Sequence, residues 1–172
     1  MIVITSYWTA RERAAEIDPR AIISLMDPGS TYSLPRGPSL EQHIRIAVHD
    51  IATDEIRYAV PYVTPNAEHV GQIINFARGW DGRGRVLVHC TAGISRSSAA
   101  GLILLATRNP GHEGEIARLM RERGPWLNPN PLMVRLADDV LDREGALIAA
   151  LNAMAEPSMK GVIEPVVLPS AW

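Results

Sequence analysis

Residues 86–97 read VLVHCTAGISRS, and this stretch decides the fold. Its first three residues form a continuous apolar run, which is typical of a strand buried on both faces of a sheet. From Ser95 to about Thr107 the chain is small and apolar, and Asn109-Pro110-Gly111 ends that run, so we predict a buried helix. We therefore predict that Cys90 lies at the end of a buried strand. A short loop then leads from Cys90 into the N-terminus of a helix.

Strand and helix patterns alternate on both sides of this unit. Short apolar or alternating runs predict strands at 2–4, 21–25 and 43–48, and helical patterns cover 9–17, 66–79, 113–123 and a long stretch from Asn130 onward with a candidate interruption near Gly145. This alternation predicts a three-layer α/β fold with a central, largely parallel sheet flanked by helices. We expect a single domain over residues 1–155. Residues 156–172 contain three prolines and are predicted to form an extended arm or a loose tail.

The composition limits the classes of protein. The chain has 172 residues, 47% apolar and 21% charged, which is the balance of one globular domain. A net charge of -2 provides no overall field for nucleic acid, and no apolar run approaches the ~20 residues of a membrane span. The only cysteine, Cys90, excludes an intrachain disulfide framework and a multi-cysteine metal site. We therefore expect a cytoplasmic protein.

The loop after Cys90 combines the features of an anion site with a nucleophile. In open α/β sheets, ligands bind beyond the carboxyl ends of the strands, and a helix start offers unpaired N–H groups to an anion. Gly93 allows the backbone N–H groups to turn inward, and Arg96 adds a planar fork for two phosphoryl oxygens. The same positive environment favours the thiolate form of Cys90. The pattern thus predicts nucleophilic chemistry on a phosphate ester.

The segment from His89 to Ser97 resembles the signature of the cysteine-based protein tyrosine phosphatases: His-Cys, five residues, then Arg followed by Ser or Thr. Asn130, within Asn128-Pro129-Asn130, and Asp50, within Val48-His49-Asp50, are similar to two further features of the compact dual-specificity members. The resemblance covers roughly residues 43–141. It implies the protein tyrosine phosphatase-like fold, and we expect a member of the compact branch of bacterial origin.

The resemblance also implies roles for individual residues. Cys90 would be the nucleophile that forms a thiophosphoryl intermediate, and Arg96 would bind the phosphoryl group in both steps. Ser97 would hydrogen-bond the sulfur and help it leave. His89 would orient the loop and help keep Cys90 ionised, and Asn130 would brace the loop. The substrate-binding cradle would consist of the backbone N–H groups of Thr91, Ala92, Gly93, Ile94, Ser95 and Arg96. The chemistry implies no metal and no other cofactor.

The general acid must lie near the carboxyl ends of the strands, within reach of the leaving oxygen. Asp50 directly follows the predicted strand at 43–48 and is the preferred candidate, and Asp54 in the same loop is the alternative. Asp81 precedes the central strand, which places it at the opposite edge of the sheet, over ~13 Å away. If neither Asp50 nor Asp54 acts, His49 is next, because it borders the same loop.

The side chains of the loop also indicate the class of substrate. Residues 91–95 contain no basic side chain, which favours a monophosphorylated aryl ester over a highly charged ligand. We expect a phosphotyrosine-containing protein or peptide as substrate, with phosphoserine and phosphothreonine as further candidates, and phosphate-like oxyanions as ligands. Two alternatives stay open. One is a non-protein ester such as a phosphoinositide, an inositol phosphate or an RNA 5′-phosphate. The other is a phosphoprotein-binding module with little activity. Nucleic acid and membranes are not expected partners.

Overall fold

The computed structural model describes residues 1–31, 33, 35–53, 62–160 and 163–172. The strands within these residues are β1 (Ile2–Ser6), β2 (Ala21–Met26), β3 (Gln42–Ala47), β4 (Val86–Cys90) and β5 (Val166–Leu168). The helices are α1 (Tyr7–Ile17), α2 (Ala67–Gly79), α3 (Arg96–Arg108), α4 (Glu113–Arg123), α5 (Pro131–Leu141) and α6 (Ala146–Asn152). No helix in these ranges is long and apolar enough to cross a membrane.

The strands form one sheet in the order β3-β2-β4-β1-β5. The first four are parallel, and β5 runs antiparallel to β1. Helix α1 packs on one face of β1 and β4, and α3 packs on the other face with α2, α4 and α5 around it. The predicted three-layer α/β fold with a largely parallel sheet is confirmed.

The alternation of side chains along β4 divides the site between the two faces of the sheet. Val88 and Cys90 belong to the larger core cluster on the α3 side, whereas Leu87 packs with Ala10 of α1 on the other side. Because successive strand residues point to opposite faces, the His89 side chain lies on the α1 side. Helix α3 approaches the sheet closely, since a Cβ at Gly101 would overlap the side chain of Ile4.

One helix boundary differs from the sequence predictions. Helix α1 begins at Tyr7 rather than at Thr9, because the Ser6 hydroxyl accepts a hydrogen bond from the Thr9 amide at 3.2 Å and caps the helix. The C-terminal helical stretch is interrupted near Gly145, as the sequence analysis considered, and consists of two helices. The Asp138 carboxylate accepts hydrogen bonds from the amides of Gly145 and Leu147 at 2.7 and 2.8 Å, which stabilises the break between α5 and α6.

The C-terminal segment 156–172 contains β5, which pairs with β1 at the edge of the sheet. The chain then reaches Trp172, whose side chain packs against the core and whose amide donates to the Asn109 side chain at 3.0 Å. The strand Val166–Leu168 of this segment therefore belongs to the sheet.

Candidate active site

Cys90 is the last residue of β4, and it is 1% exposed. Two polar groups approach its sulfur: the Gly93 amide donates to Sγ at 3.3 Å, and the Ser97 Oγ lies 3.2 Å from Sγ. A hydrogen bond to the charged form of a group favours that form. The loop between β4 and α3 is thus arranged to stabilise negative charge on the sulfur.

The backbone of this loop depends on Gly93. Its φ is +77°, and a Cβ there would lie 2.5 Å from the Ser6 nitrogen and 2.7 Å from the Thr5 carbonyl carbon. These contacts leave no space for a side chain, so only glycine fits the turn against β1. The same turn directs the Gly93 amide toward Cys90.

Arg96 is almost completely buried, with 4% of the residue exposed. Its Nη1 donates to Asp27 Oδ1 at 2.6 Å and to the Val48 carbonyl at 2.7 Å, and its Nη2 donates to Thr91 Oγ1 at 3.3 Å. The buried Nε has no hydrogen-bond partner among the described residues. An unpaired buried N–H is costly, and the Nε–Nη2 edge is the edge that forms bidentate pairs with oxyanions. The guanidinium thus retains a donor, Nε, that can bind an oxyanion.

Asp50 reaches the same loop. Its Oδ1 accepts hydrogen bonds from the Ser95 hydroxyl at 2.6 Å and from the Asn130 Nδ2 at 2.9 Å. Asn130 is buried and also caps α5, because its Oδ1 accepts from the Met133 amide at 3.0 Å. The structure therefore brings Asp50 and Asn130 to the loop between β4 and α3, whereas Asp54 lies outside the described residues.

The N-terminus of α3 is left open toward this site. Ser95 is the N-cap residue, but its side chain donates to Asp50 and makes no capping hydrogen bond to the helix. The first amides of a helix then lack an internal partner, and the helix dipole favours an anion beside them. The Gly93 amide contacts Cys90 Sγ, and the cradle of residues 91–96 that the resemblance implies stays a prediction.

Behind the loop, His89 belongs to a hydrogen-bonded chain that crosses three strands. The Ser24 Oγ lies 2.6 Å from His89 Nε2 and 2.7 Å from His43 Nε2. Burial lowers the pKa of His89 to about 4, aided by charge on His43 and opposed by the backbone of Cys90. At neutral pH His89 is therefore uncharged, so any support that it gives to a Cys90 thiolate comes from orientation and hydrogen bonding.

The low pKa of His89 predicts a pH dependence of stability. The unfolded chain takes up the proton near pH 6.5, whereas the folded protein does so only near pH 4. The unfolded state binds more protons in this window, so we expect the free energy of unfolding to fall as the pH drops from about 6.5 to about 4. The contribution of His89 is about 3 kcal/mol. Urea unfolding across this range measures it.

The matched variant is His89→Gln, in which this contribution disappears and the pH slope becomes shallower. A wild-type protein whose stability is flat between these pH values would contradict the prediction. So would an unchanged slope in the variant.

The sequence analysis also considered Asp81 and His49, and both side chains have other contacts. Asp81 forms an ion pair with Arg20 at 3.1 Å, and Arg20 lies just before β2, at the end of the sheet opposite the loop. His49 borders the Asp50 loop, but its Nδ1 accepts a hydrogen bond from the Val63 amide at 2.9 Å and its ring packs edge-on against Tyr62. Among the described residues, no group of three His, Cys, Asp or Glu side chains is placed to hold a metal ion.

The sequence analysis missed Asp27 and Ser24. Asp27 follows β2 in an Asp-Pro-Gly turn, and the turn is the only local signal that these residues carry. Its carboxylate forms an ion pair with Arg96, which is 69 residues further along the chain. Ser24 lies inside the apolar strand β2 and contacts His89 across the sheet. Neither contact follows from a pattern within one segment.

The fold and this loop geometry define a class: the fold is protein tyrosine phosphatase-like, as in the solved dual-specificity phosphatases. DUSP15 is 21% identical with a TM-score of 0.58, over 90% of this chain and 93% of that chain. PTPMT1 in complex with PI(5)P is 16% identical with a TM-score of 0.59, over 84% and 94%. The human tyrosine phosphatase-like serine/threonine/tyrosine-interacting protein is 16% identical with a TM-score of 0.60, over 83% and 92%.

At these identities the likeness establishes the fold. No protein-family model and no curated protein matches the sequence. The neighbours named above give no support to the bacterial origin that the sequence analysis expected.

Proposed function

We propose that this protein is a cysteine-dependent phosphatase that hydrolyses phosphotyrosine in proteins or peptides, with phosphoserine and phosphothreonine as further substrates. The observation that carries the proposal is the buried Arg96, whose Nε has no hydrogen-bond partner within the described part of the chain, beside a loop that places an amide and a hydroxyl against Cys90 Sγ. Arg96 Nη1 is already paired with Asp27, and Nε can donate to the oxyanion of a substrate in addition. Cys90, six residues before Arg96 in the sequence, would supply the nucleophile.

In the first step, the Nε–Nη2 edge of Arg96 and the loop amides hold the phosphoryl oxygens. The Cys90 thiolate attacks phosphorus, the P–S bond forms, and the bond to the leaving oxygen breaks. The leaving oxygen takes a proton from Asp50. Ser95 and Asn130 hold the Asp50 Oδ1, which leaves Oδ2 as the oxygen that carries the proton.

In the second step, Asp50 accepts a proton from the attacking water, and the P–S bond of the cysteinyl phosphate breaks. The sulfur leaves as a thiolate, which the Ser97 hydroxyl stabilises from 3.2 Å. Inorganic phosphate is released, and Arg96 binds the transferring group in both steps. The neutral His89 orients the loop, and Asn130 links it to Asp50.

The remaining features of the proposal follow from the same site. A catalytic thiol requires a reducing compartment, so we place the enzyme in the cytoplasm. Its partners are phosphate-bearing proteins or peptides, and the loop also binds free oxyanions such as phosphate. The chemistry uses no metal or cofactor.

Two neighbours point to the alternatives. PTPMT1 has been solved with PI(5)P, which supports a phosphoinositide or another non-protein ester as the second candidate. The human neighbour named as a phosphatase-like interacting protein supports a phosphoprotein-binding module with little activity. Cys90 and Arg96 are both present here, and the loop lacks extra cations, so we prefer the phosphotyrosine phosphatase.

A panel of phosphopeptides and inositol phosphates, compared by kcat/KM, tests the proposal. We expect phosphotyrosine peptides to exceed inositol phosphates by at least about tenfold, because one guanidinium compensates one phosphate dianion. Equal activity across the panel, or a preference for inositol phosphates, would reject the phosphotyrosine assignment. Binding of phosphopeptides without turnover would favour the binding module.

A further inference from the structure

The Asp27 carboxylate forms an ion pair with Arg96, the arginine of the proposed phosphate site. Its Oδ1 lies 2.6 Å from Arg96 Nη1, and the side chain is 50% exposed, whereas that of Arg96 is 5% exposed. The Asp27 side chain is therefore half-exposed, whereas the guanidinium that it contacts is buried. Arg96 is already partly neutralised before any phosphate binds.

Few other charges lie around this loop. Residues 91–95 carry none, and Asp50, the proposed proton donor, contacts Ser95. Arg45 of β3 lines the small cavity, of about 170 Å³, that Asp27 also lines, but the two form no ion pair within the described residues. With Asp50 protonated for its proposed role, the Asp27 carboxylate is the negative charge that pairs with Arg96 beside this loop.

We propose that Asp27 is a specificity-determining residue that selects substrates carrying a single phosphate and disfavours those with a second phosphate close to the reacting one. The inference rests on the proposed phosphatase function and narrows its substrate class. Arg96 and the loop amides compensate the reacting phosphate, but a neighbouring phosphate would meet the Asp27 charge. Within the Debye length of ~8 Å, such a repulsion changes kcat/KM by about tenfold.

The variant Asp27→Asn separates charge from position. Its side-chain oxygen still accepts a hydrogen bond from Arg96 Nη1, while the negative charge is lost. The matched control is Asp81→Asn, which removes one negative charge at the opposite end of the sheet, where Asp81 pairs with Arg20.

The experiment compares kcat/KM for a phosphotyrosine peptide and for the same peptide with a second phosphotyrosine next to the first. We expect Asp27→Asn to raise the relative kcat/KM for the doubly phosphorylated peptide about tenfold, and Asp81→Asn to leave the ratio within about twofold of the wild type. The effect of Asp27→Asn should shrink at about 1 M salt, where the Debye length falls to ~3 Å.

Equal changes for both peptides in Asp27→Asn would overturn the inference, because Asp27 would then act only by holding Arg96. A similar shift in Asp81→Asn would also overturn it, since net charge alone would be responsible. If the wild type hydrolyses neither peptide, the proposed function fails. The dissociation constants of the two peptides for the wild type and Asp27→Asn then decide the inference separately: an unchanged ratio overturns it, and a tenfold shift supports it.

Discussion

We expect Cys90→Ser to abolish hydrolysis of both phosphotyrosine and an activated aryl phosphate, by about 10⁴-fold or more in kcat. A serine hydroxyl is protonated at neutral pH, so it is a poor nucleophile and, in the second step, a poor leaving group. The Gly93 amide and the Ser97 hydroxyl, which approach the sulfur at 3.3 and 3.2 Å, cannot compensate for that difference. Single-turnover kinetics on both substrates measure the loss.

Binding provides the control for this variant. The Arg96 edge and the open N-terminus of α3 remain in Cys90→Ser, so we expect phosphate or vanadate to bind with an affinity within about tenfold of the wild type. In the wild type, the same oxyanions should protect Cys90 from alkylation by iodoacetate. Residual turnover near the wild-type rate would show that the sulfur is not the nucleophile, and it would remove the basis of the proposed mechanism.

The second large effect concerns Asp50 and depends on the leaving group. The tyrosine phenolate is a basic leaving group, so its departure requires proton donation, typically worth 10²–10⁴-fold in rate. An activated aryl phosphate, whose phenol is already acidic, needs far less help. We therefore expect Asp50→Asn to lower kcat for phosphotyrosine by about 10²–10⁴-fold and to affect the activated ester only mildly. Steady-state kinetics on the two substrates give the ratio.

The structure indicates that Asp50→Asn removes the acidic proton and keeps the contacts of residue 50. An asparagine at position 50 can still accept hydrogen bonds from Ser95 and Asn130, as the Asp50 Oδ1 does at 2.6 and 2.9 Å, so the loop contact is retained. The comparison variants are Asp54→Asn, expected to be nearly neutral, and Asp81→Asn, expected to be neutral.

A leaving-group-dependent loss in Asp54→Asn but not in Asp50→Asn would assign the acid to Asp54. A loss in neither would direct attention to His49. Both results would leave the proposed roles of Cys90 and Arg96 intact, since these roles rest on the contacts of Cys90 and Arg96 and not on the source of the proton.

The parts of this protein that are local in the chain are predictable from its sequence. The strand, loop and helix around Cys90, Gly93 and Arg96 follow one another within residues 86–108, so apolar runs and glycine chemistry predict them directly. The starts of α2 and α5 are equally local. Asn66 and Asn130 accept hydrogen bonds from amides three residues ahead, at 3.1 and 3.0 Å. Asp50 is predicted because it follows a strand whose direction the α/β pattern implies.

The tertiary structure alone decided which distant residues complete the site. Asp27 and Ser24 reach Arg96 and His89 because β2 lies beside β4 in the sheet, and no pattern within either strand specifies that neighbour. The pairing of β5 with β1 is decided in the same way. Hydrophobic periodicity specifies which face of a segment is buried, but strand order depends on how all the buried faces pack together. The sequence therefore contained the proposed nucleophile and the loop around it, and the packed sheet brought Asp27 to Arg96 and the Ser24 hydroxyl to His89.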